Sequence, residues 1–536
     1  LVFAVFFVQG AWPVPDVNEP HYLTKTIHSW SPDRIGPDFF LDSADTHTVF
    51  YFTFGWLTLV LSPPVVAWLG RLLTWSLMAY TWRRLSRAVL PGRWWSILTA
   101  ALFLCLLDRC HMAGEWVAGG IEAKGFAYVF VFLGLENLVR NRWNFMWLCF
   151  GAAALFHVLV GGWAVAAAAI AWIIVGATRS KLRPKLRAMW PGLLAGGLLS
   201  LPALIPSMRL TWGVDAEIVS LANQIYVFQR LGHHLNPVVF PTWFIIRFTL
   251  LGLLWLFVWG TTLAIAKKPL AAPQPIESGG QHRLHSFVAG TVIIAIIGAL
   301  IGILGKSDPA WAAALLRFYW FRLADVAVPL GVALGGCSLI ATALKKKGPG
   351  SFYKRILFSP GQRWLVLAII VVGIHFGNLA ILRPLPGVPR ADRLPHYECW
   401  RHACEWAADP QNIPAGSRFL TPRMSQTFKW YTLSAGTGHS EVITWKDIPQ
   451  DADSIVEWWR RMNDIHGNPD GRPRRPWHRS LALQGEERLE KLGEKYEADY
   501  VITKAQPRLD LTVVYKNPAY IIYRLDRAEG RMSKSE

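Results

Sequence analysis

Ten apolar stretches follow one another along the first 382 residues: Pro63 to Tyr80, Ile97 to Leu107, Phe126 to Val139, Asn144 to His157, Gly161 to Gly176, Trp190 to Met208, Trp243 to Ala266, Phe287 to Gly305, Asp325 to Leu344 and Trp364 to Leu382. A soluble core has no room for so many such runs in series, so they predict helices crossing a lipid bilayer. Several fall short of the ~20 residues a straight span needs, and those helices are expected to be partial or shielded by neighbours. The run Leu1 to Val8 is about half a span and reads as the outer half of a further helix, not as a cleaved signal peptide. The expected count is ten or eleven.

The loops between the stretches alternate in character. Basic ones carry Arg83, Arg84, Arg87 and Arg93, then Arg140 and Arg142, then Arg179 to Arg187, then Lys267 and Lys268, then Lys345 to Lys347 with Lys354 and Arg355. The chain's net charge of +19 would suggest nucleic acid in a soluble protein. From Arg383 onward, however, 24 Lys/Arg stand against 21 Asp/Glu, which leaves 31 against 15 in the part with the apolar runs. The excess lies in every second loop, as the positive-inside rule requires, so it sets these loops in the cytoplasm and argues against a nucleic-acid partner.

The opposite loops hold nearly all the acid of the first 382 residues; only Glu136 and Glu277 fall on the basic side. Acidic residues hardly influence orientation, so this segregation points to chemistry on the external face. The longest loop of the N-terminal half, residues 9–62, belongs to that face. Its segment His47 to Leu61 is apolar and aromatic and reads as an interfacial helix, ending at Ser62, Pro63 and Pro64, where the next helix can begin with prolines in its first turn. These features divide the chain into a multi-pass domain, 1–382, and a second domain, 383–536. The Pro-rich linker Arg383 to Pro389 introduces short β-rich runs alternating with helical patterns, so an α/β domain on the extracytoplasmic side is expected. The segment Pro269 to Gln281 is of low complexity, and Cys399 and Cys404 read as a pair or as two free thiols.

Candidate chemistry concentrates on the external connections. Glu19, just beyond the first helix in Asn18, Glu19, Pro20, His21, Tyr22, is placed to act as a general base near the membrane surface; its plainer role is a loop carboxylate satisfied by Lys25 or by backbone amides. Asp108, Arg109, His111, Glu115, Glu122 and Lys124 follow the third helix. The i, i+4 and i, i+7 spacings of His111, Glu115 and Glu122 would gather them on one helical face, suited to a phosphate or, as an alternative, a divalent metal, although Gly114, Gly119 and Gly120 weaken such a helix. His157 before Gly161 and Gly162, and Arg322 within Arg317 to Asp325, are further candidates to bind an anion; a packing histidine and an aromatic-belt arginine are their bland counterparts. The stretch Arg209 to Trp243 reads as a solvated loop more readily than as an acceptor loop, and the aromatic and basic residues of the second domain, among them Trp445, Lys446 and Asp447, read as core without catalysis.

The motif Asn18 to Tyr22 resembles the acidic motif, often Asp-Glu followed by His or Tyr, in the first extracytoplasmic loop of GT-C superfamily glycosyltransferases. The long first loop, the Pro-initiated helix and the C-terminal domain are similar too. The chain as a whole resembles an uncharacterised bacterial multi-pass membrane family of unknown function, most through Cys110 to Tyr128 and Phe156 to Trp163. One departure is Asn18, which stands where the first acid often does. The resemblance implies a bacterial inner-membrane enzyme that moves a sugar from a polyprenyl-phosphate donor in the lipid to an extracytoplasmic acceptor hydroxyl. Glu19 and Asp108 would be catalytic, with His21, Tyr22, Glu115, Glu122, Lys124, His157 and Arg322 holding substrate. A transporter or flippase of lipid-linked intermediates, or a non-catalytic assembly protein, are the alternatives; ionisable residues near mid-bilayer and pseudo-symmetric halves, which a transporter would favour, are not seen in the sequence.

Overall fold

A computed structural model describes residues 1–267, 277–345, 360–382, 387–467 and 480–525. Lys268, most of the Pro269 to Gln281 segment, Lys346, Lys347, Lys354, Arg355 and the first part of the linker, 383–386, lie outside the described residues. Each of the ten apolar stretches falls on a helix. The order begins with α1 (Val2–Gly10), then α2 (Glu19–Trp30), α3 (Phe39–Asp42) and α4 (Thr48–Phe54) in the long first loop. The bundle proper continues with α5 (Pro63–Val89), α6 (Arg93–Cys110), α7 (Ala123–Val139), α8 (Trp143–Phe156), α9 (Val158–Thr178) and α10 (Leu186–Arg209). After α11 (Ala216–Gln224) and α12 (Gly232–Leu235) come α13 (Thr242–Lys267), α14 (Glu277–Leu304), α15 (Pro309–Leu316), α16 (Arg322–Lys345) and α17 (Pro360–Leu382).

Among the described residues, six helices are long and apolar enough to cross a membrane: α9, α10, α13, α14, α16 and α17. A seventh crossing arises if α5 and α6, bent by 114° at their junction, count as one. The remaining apolar helices are short. At 1.5 Å per residue, α7 and α8 are roughly 25 and 21 Å long, less than a hydrocarbon core, and both are largely buried by their neighbours. Close approach is bought with glycine. In α10, Gly192 and Gly196 repeat at a four-residue interval against α8, where a Cβ on Gly196 would sit 2.4 Å from the Trp147 carbonyl oxygen. The segment expected to be interfacial is helical: α4 runs into a 3₁₀ turn, Gly55–Leu59, and Phe52, Trp56, Leu59 and the following Val60 are exposed.

Beyond residue 386 the chain forms an α/β layer with helices α18 (Tyr397–Ala407), α19 (Phe428–Ala435), α20 (Ala452–His466) and α21 (Glu486–Tyr496). Its sheet consists of β1 (Arg418–Leu420), β2 (Ser440–Glu441), β3 (Tyr500–Lys504), β4 (Val513–Lys516) and β5 (Tyr520–Arg524), in the order β2-β1-β3-β5-β4. The first three strands are parallel and the last two antiparallel. Alternation along β3 and β5 splits the core. Val501, Ile521 and Tyr523 join Trp458 and Leu489 of α20 and α21, whereas Tyr500, Ile502, Tyr520 and Ile522 join Trp400 and Phe428 of α18 and α19. That second cluster continues through Tyr22, Phe50, Phe54 and Phe126, so the first loop and the C-terminal layer share one hydrophobic core. Cys399 and Cys404 are free thiols.

Candidate active site

A cavity of about 710 Å³ opens where the first loop, the connection 111–122, the start of α9, the end of α10, the segment 226–234 and the C-terminal layer meet. A second chamber of about 470 Å³ adjoins it, and Asn18, Gly114, Glu115, Trp116, Arg230, Leu231, His234 and Lys446 line both. Eight of the nine residues singled out from the sequence face these spaces: His21, Tyr22, Glu115, Glu122, Lys124, His157 and Arg322 in the first, Asp108 with Glu115 in the second.

Glu19 is the ninth, and it faces neither. Its side chain is 0% exposed and both oxygens are saturated. Arg71 of α5 grips it with Nε on Oε1 at 2.6 Å and Nη2 on Oε2 at 2.5 Å, and the backbone N–H groups of Asp16 and Ile121 complete the shell at 2.7 and 2.9 Å. The expectation of a base is therefore corrected to a structural clamp, with Arg71 in place of Lys25 as its cation; Lys25 pairs with Asp45 at 3.1 Å instead. An arginine buried within an apolar helix needs such a counter-ion. Asp16 beside it is also enclosed. Despite its burial, Arg390 and Arg71 hold its carboxyl below the usual range, and it accepts the N–H of Gly120 at 2.8 Å.

The connection 111–122 is not the helix that the spacing of His111, Glu115 and Glu122 suggested. It is an irregular segment with Gly114 at a positive φ of 79°, a region costly for other residues. Three buried carboxylates staple its two ends. Asp325 of α16 accepts the N–H groups of Met112, Ala113 and Glu115 at 2.7, 2.9 and 3.3 Å, while Asp16 and Glu19 hold Gly120 and Ile121. The staples present Glu115 and Glu122 to the cavity. His111 lies instead on the second chamber, packed on Phe244, and among the described residues no group of three His, Cys, Asp or Glu side chains is placed to hold a metal ion.

Within the cavity the charges form a chain. Arg322 lies 2.9 Å from Glu115 Oε2 and donates to His157 Nε2 at 2.9 Å; Lys124 sits 3.4 Å from Glu115 and 3.7 Å from Glu122. Asn18, the departure from the two-acid pattern, joins the chain to the C-terminal layer: its Nδ2 donates to Glu122 Oε2 at 2.9 Å and its Oδ1 accepts from Lys446 Nζ at 2.6 Å. Burial raises the Glu122 carboxyl above its ordinary value, and Lys124 and Asn18 offset this only in part. Burial also pushes the Lys446 ammonium down to about 7, helped by the positive fields of Arg230 and Arg393. Burial likewise keeps the His21 imidazole below its usual value and takes His47 to about 4, so both are neutral hydrogen-bonding groups at pH 7. The predicted acid Asp108 stands apart, 43% exposed beside Arg109 at the far wall of the second chamber.

The cavity changes character at its other end. There it is lined by Val158, Leu159, Gly162 and Ala166 of α9 and by Leu204 and Met208 of α10, with Leu204 and Met208 exposed on the outside of the bundle. Prolines at 202 and 206 interrupt the hydrogen bonding of α10 in these turns. Two further residues of these chambers, Lys446 and Arg230, read in the sequence as core and as part of a solvated loop rather than as site residues. Lys446 lies between Trp445 and Asp447 in a run that reads as core, and Arg230 belongs to a π-helical turn, Ile225–Arg230, in a stretch that reads as a loop; a basic residue amid aromatics was the only local signal of either.

A family model described as a domain of unknown function (DUF6798) matches residues 398–465, the part of the C-terminal layer that carries Trp445 and Lys446. No curated protein matches the chain. Among solved structures, the chain aligns with the arabinofuranosyltransferase AftD from Mycobacteria at a TM-score of 0.49 and 14% identity, over 98% of this chain and 39% of that one. It also aligns with the apo oligosaccharyltransferase of Archaeoglobus fulgidus at a TM-score of 0.41 and 12% identity, over 94% of this chain and 69% of that one. The chain thus spans about two fifths of the length of the first of these proteins.

Proposed function

We propose that this protein is a GT-C-like membrane glycosyltransferase that moves a sugar from a polyprenyl-phosphate donor to an acceptor hydroxyl on the extracytoplasmic side of a bacterial inner membrane. One observation carries the reading: a single cavity joins a polar wall, holding a carboxylate of raised proton affinity among cations, to an apolar mouth between α9 and α10 on the outside of the bundle. A lipid-linked sugar has the matching polarity. Its isoprenoid chain enters between α9 and α10, its phosphate meets Arg322, Lys124 and Arg317, and its sugar lies toward Asn18, His21 and Tyr22.

Glu122 takes the role of general base. Its proton affinity is raised toward neutrality, which suits a group that must accept a proton from a hydroxyl. The acceptor oxygen bonds to the anomeric carbon as its proton passes to Glu122; the bond from that carbon to the phosphate oxygen breaks, and the electron pair leaves with the phosphate. Negative charge grows on that phosphate in the transition state, and fixed cations at Arg322 and Lys124 lower its energy without reorganisation. Asn18 fixes the orientation of the Glu122 carboxylate.

The test is turnover by the full chain in lipid nanodiscs against a panel of polyprenyl-phosphate sugars. Glu122→Gln is expected to lower kcat by about 10²-fold or more with thermal unfolding unchanged. Transfer at the wild-type rate in this variant would remove Glu122 as the base; donor binding without any transfer by the wild type would favour a flippase.

A further inference from the structure

The second chamber is more polar than the first. It is built from the end of α6 at Asp108 and His111, from His233 and His234 around α12, and from Arg390, Arg393 and Trp445 of the C-terminal layer. Most of its charges are spoken for: Asp108 lies beside Arg109, Glu115 is held by Arg322 and Lys124, and Arg390 is held by Asp16. Three cations are not. Among the described residues, Arg230, Arg393 and Lys446 have no carboxylate within ion-pair distance. Arg230 spends its Nε on the Trp445 carbonyl at 2.8 Å and lies over the Trp445 ring, Lys446 donates to an uncharged amide, and Arg393 is exposed.

These three line the same chamber, and Arg230 and Arg393 both lower the proton affinity of Lys446, as Arg393 does that of Arg230. Holding like charges together in a half-buried site is unfavourable until an anion joins them. Trp445 lines the chamber beside them, its ring in contact with Arg230, Arg423 and Trp458, and Asn18, which touches both Glu122 and Lys446, marks where this chamber meets the base.

We infer that the second chamber is the acceptor subsite, and that the acceptor is a saccharide carrying an anionic group, carboxylate or phosphate, seated on Arg230, Arg393 and Lys446. This rests on the transferase reading for the word acceptor, while the anion site stands on geometry alone. The group being transferred enters from the first cavity, so the acidic substituent is recognised on the opposite side of the base. It distinguishes acidic acceptors from neutral sugars that carry the same hydroxyls.

Equilibrium binding to the full chain in nanodiscs tests this without turnover. The probes are trigalacturonate, its methyl ester and glucose 6-phosphate. At least one anionic probe is expected to bind tenfold or more tighter than the ester, with affinity falling as salt rises. Preference for trigalacturonate identifies a carboxylate, and preference for glucose 6-phosphate a phosphate. Arg393→Gln and, independently, Lys446→Gln are expected to bring the ratio of anionic to neutral affinity close to one. Equal binding of trigalacturonate and its ester, no binding of either anion at millimolar concentration, or displacement of the bound anion by decyl phosphate would overturn the assignment, the last by giving the cations to the lipid donor. Failure of the transferase reading shows elsewhere, as donor binding without any transfer by the wild type.

Discussion

Glu19 and Glu122 are carboxylates of similar burial whose oxygens meet opposite surroundings. Glu19 accepts from a bidentate guanidinium and two backbone amides, so it has no capacity left for a substrate proton. Glu122 has one amide donor, a lysine at 3.7 Å and an open side. Substituting them should therefore give different kinds of damage. Glu19→Gln leaves the Arg71 guanidinium buried without a counter-ion, a loss of about 3–5 kcal/mol, and is expected to show as a lower unfolding temperature and poor yield. A Glu19→Gln protein that folds normally and loses only transfer would restore Glu19 as a catalytic group.

At the scale of elements, the connection 111–122 shows where sequence reading succeeds and where it stops. The apolar runs located each helix of the bundle, because burial in lipid or protein depends on the local composition of a segment. The Pro63 and Pro64 start of α5 was legible for a similar reason, since proline in a first turn is a local preference. The 111–122 conformation was not, because its stabilising groups are distant: Asp325 lies more than 200 residues away and Asp16 and Glu19 about 100 before it. The i, i+4 spacing of His111 and Glu115 suggested a helix, and Asp325 overrides it by taking three amide donors from an extended turn. Lys446 reads as core for the same reason, since its partner Asn18 belongs to the opposite end of the chain. Removing the staple has a local readout. Asp325→Asn is expected to speed amide hydrogen exchange at Met112, Ala113 and Glu115 by roughly tenfold or more, as loss of charge-assisted bonds worth about 1.5–3 kcal/mol requires. Unchanged exchange there would show that the segment holds its shape by packing alone.

For the molecule as a whole, the first loop and the C-terminal layer are joined by a buried charge cluster as well as by a shared core. Lys429 Nζ lies 3.4 Å from Asp38 of the first loop and 3.4 and 3.1 Å from Glu441 and Asp447, while His21 lies 3.5 Å from Asp447. One lysine does not neutralise three acids. Burial raises Glu441 to about 7 despite Lys429, whereas Lys429 and His21 hold Asp447 well below its usual value against the effect of burial. The folded protein thus keeps a proton on Glu441 that the unfolded chain releases near 4.5. Its contribution to stability is complete below that value and fades as pH rises toward 7. Asp447 acts in the other direction, contributing above about 4 and losing its effect in stronger acid. Between pH 5 and pH 8 the wild type in nanodiscs is expected to lose on the order of 2 kcal/mol of stability that Glu441→Gln does not lose, because only the wild-type carboxyl gives up its bound proton over that interval. An equal slope in the variant would assign the pH dependence to other groups.

The reach of Lys446 into the wall between the two chambers has a temporal meaning. Translation runs from the N-terminal to the C-terminal side, so α1 to α17 are made before Lys446 leaves the ribosome. A nascent chain with all its lipid-embedded helices in place still has a gap where the ammonium will sit, and Asn18 waits with its carbonyl oxygen unused. Completion of the pocket is thereby tied to a late step of synthesis, after the bundle that supplies its other walls has been made.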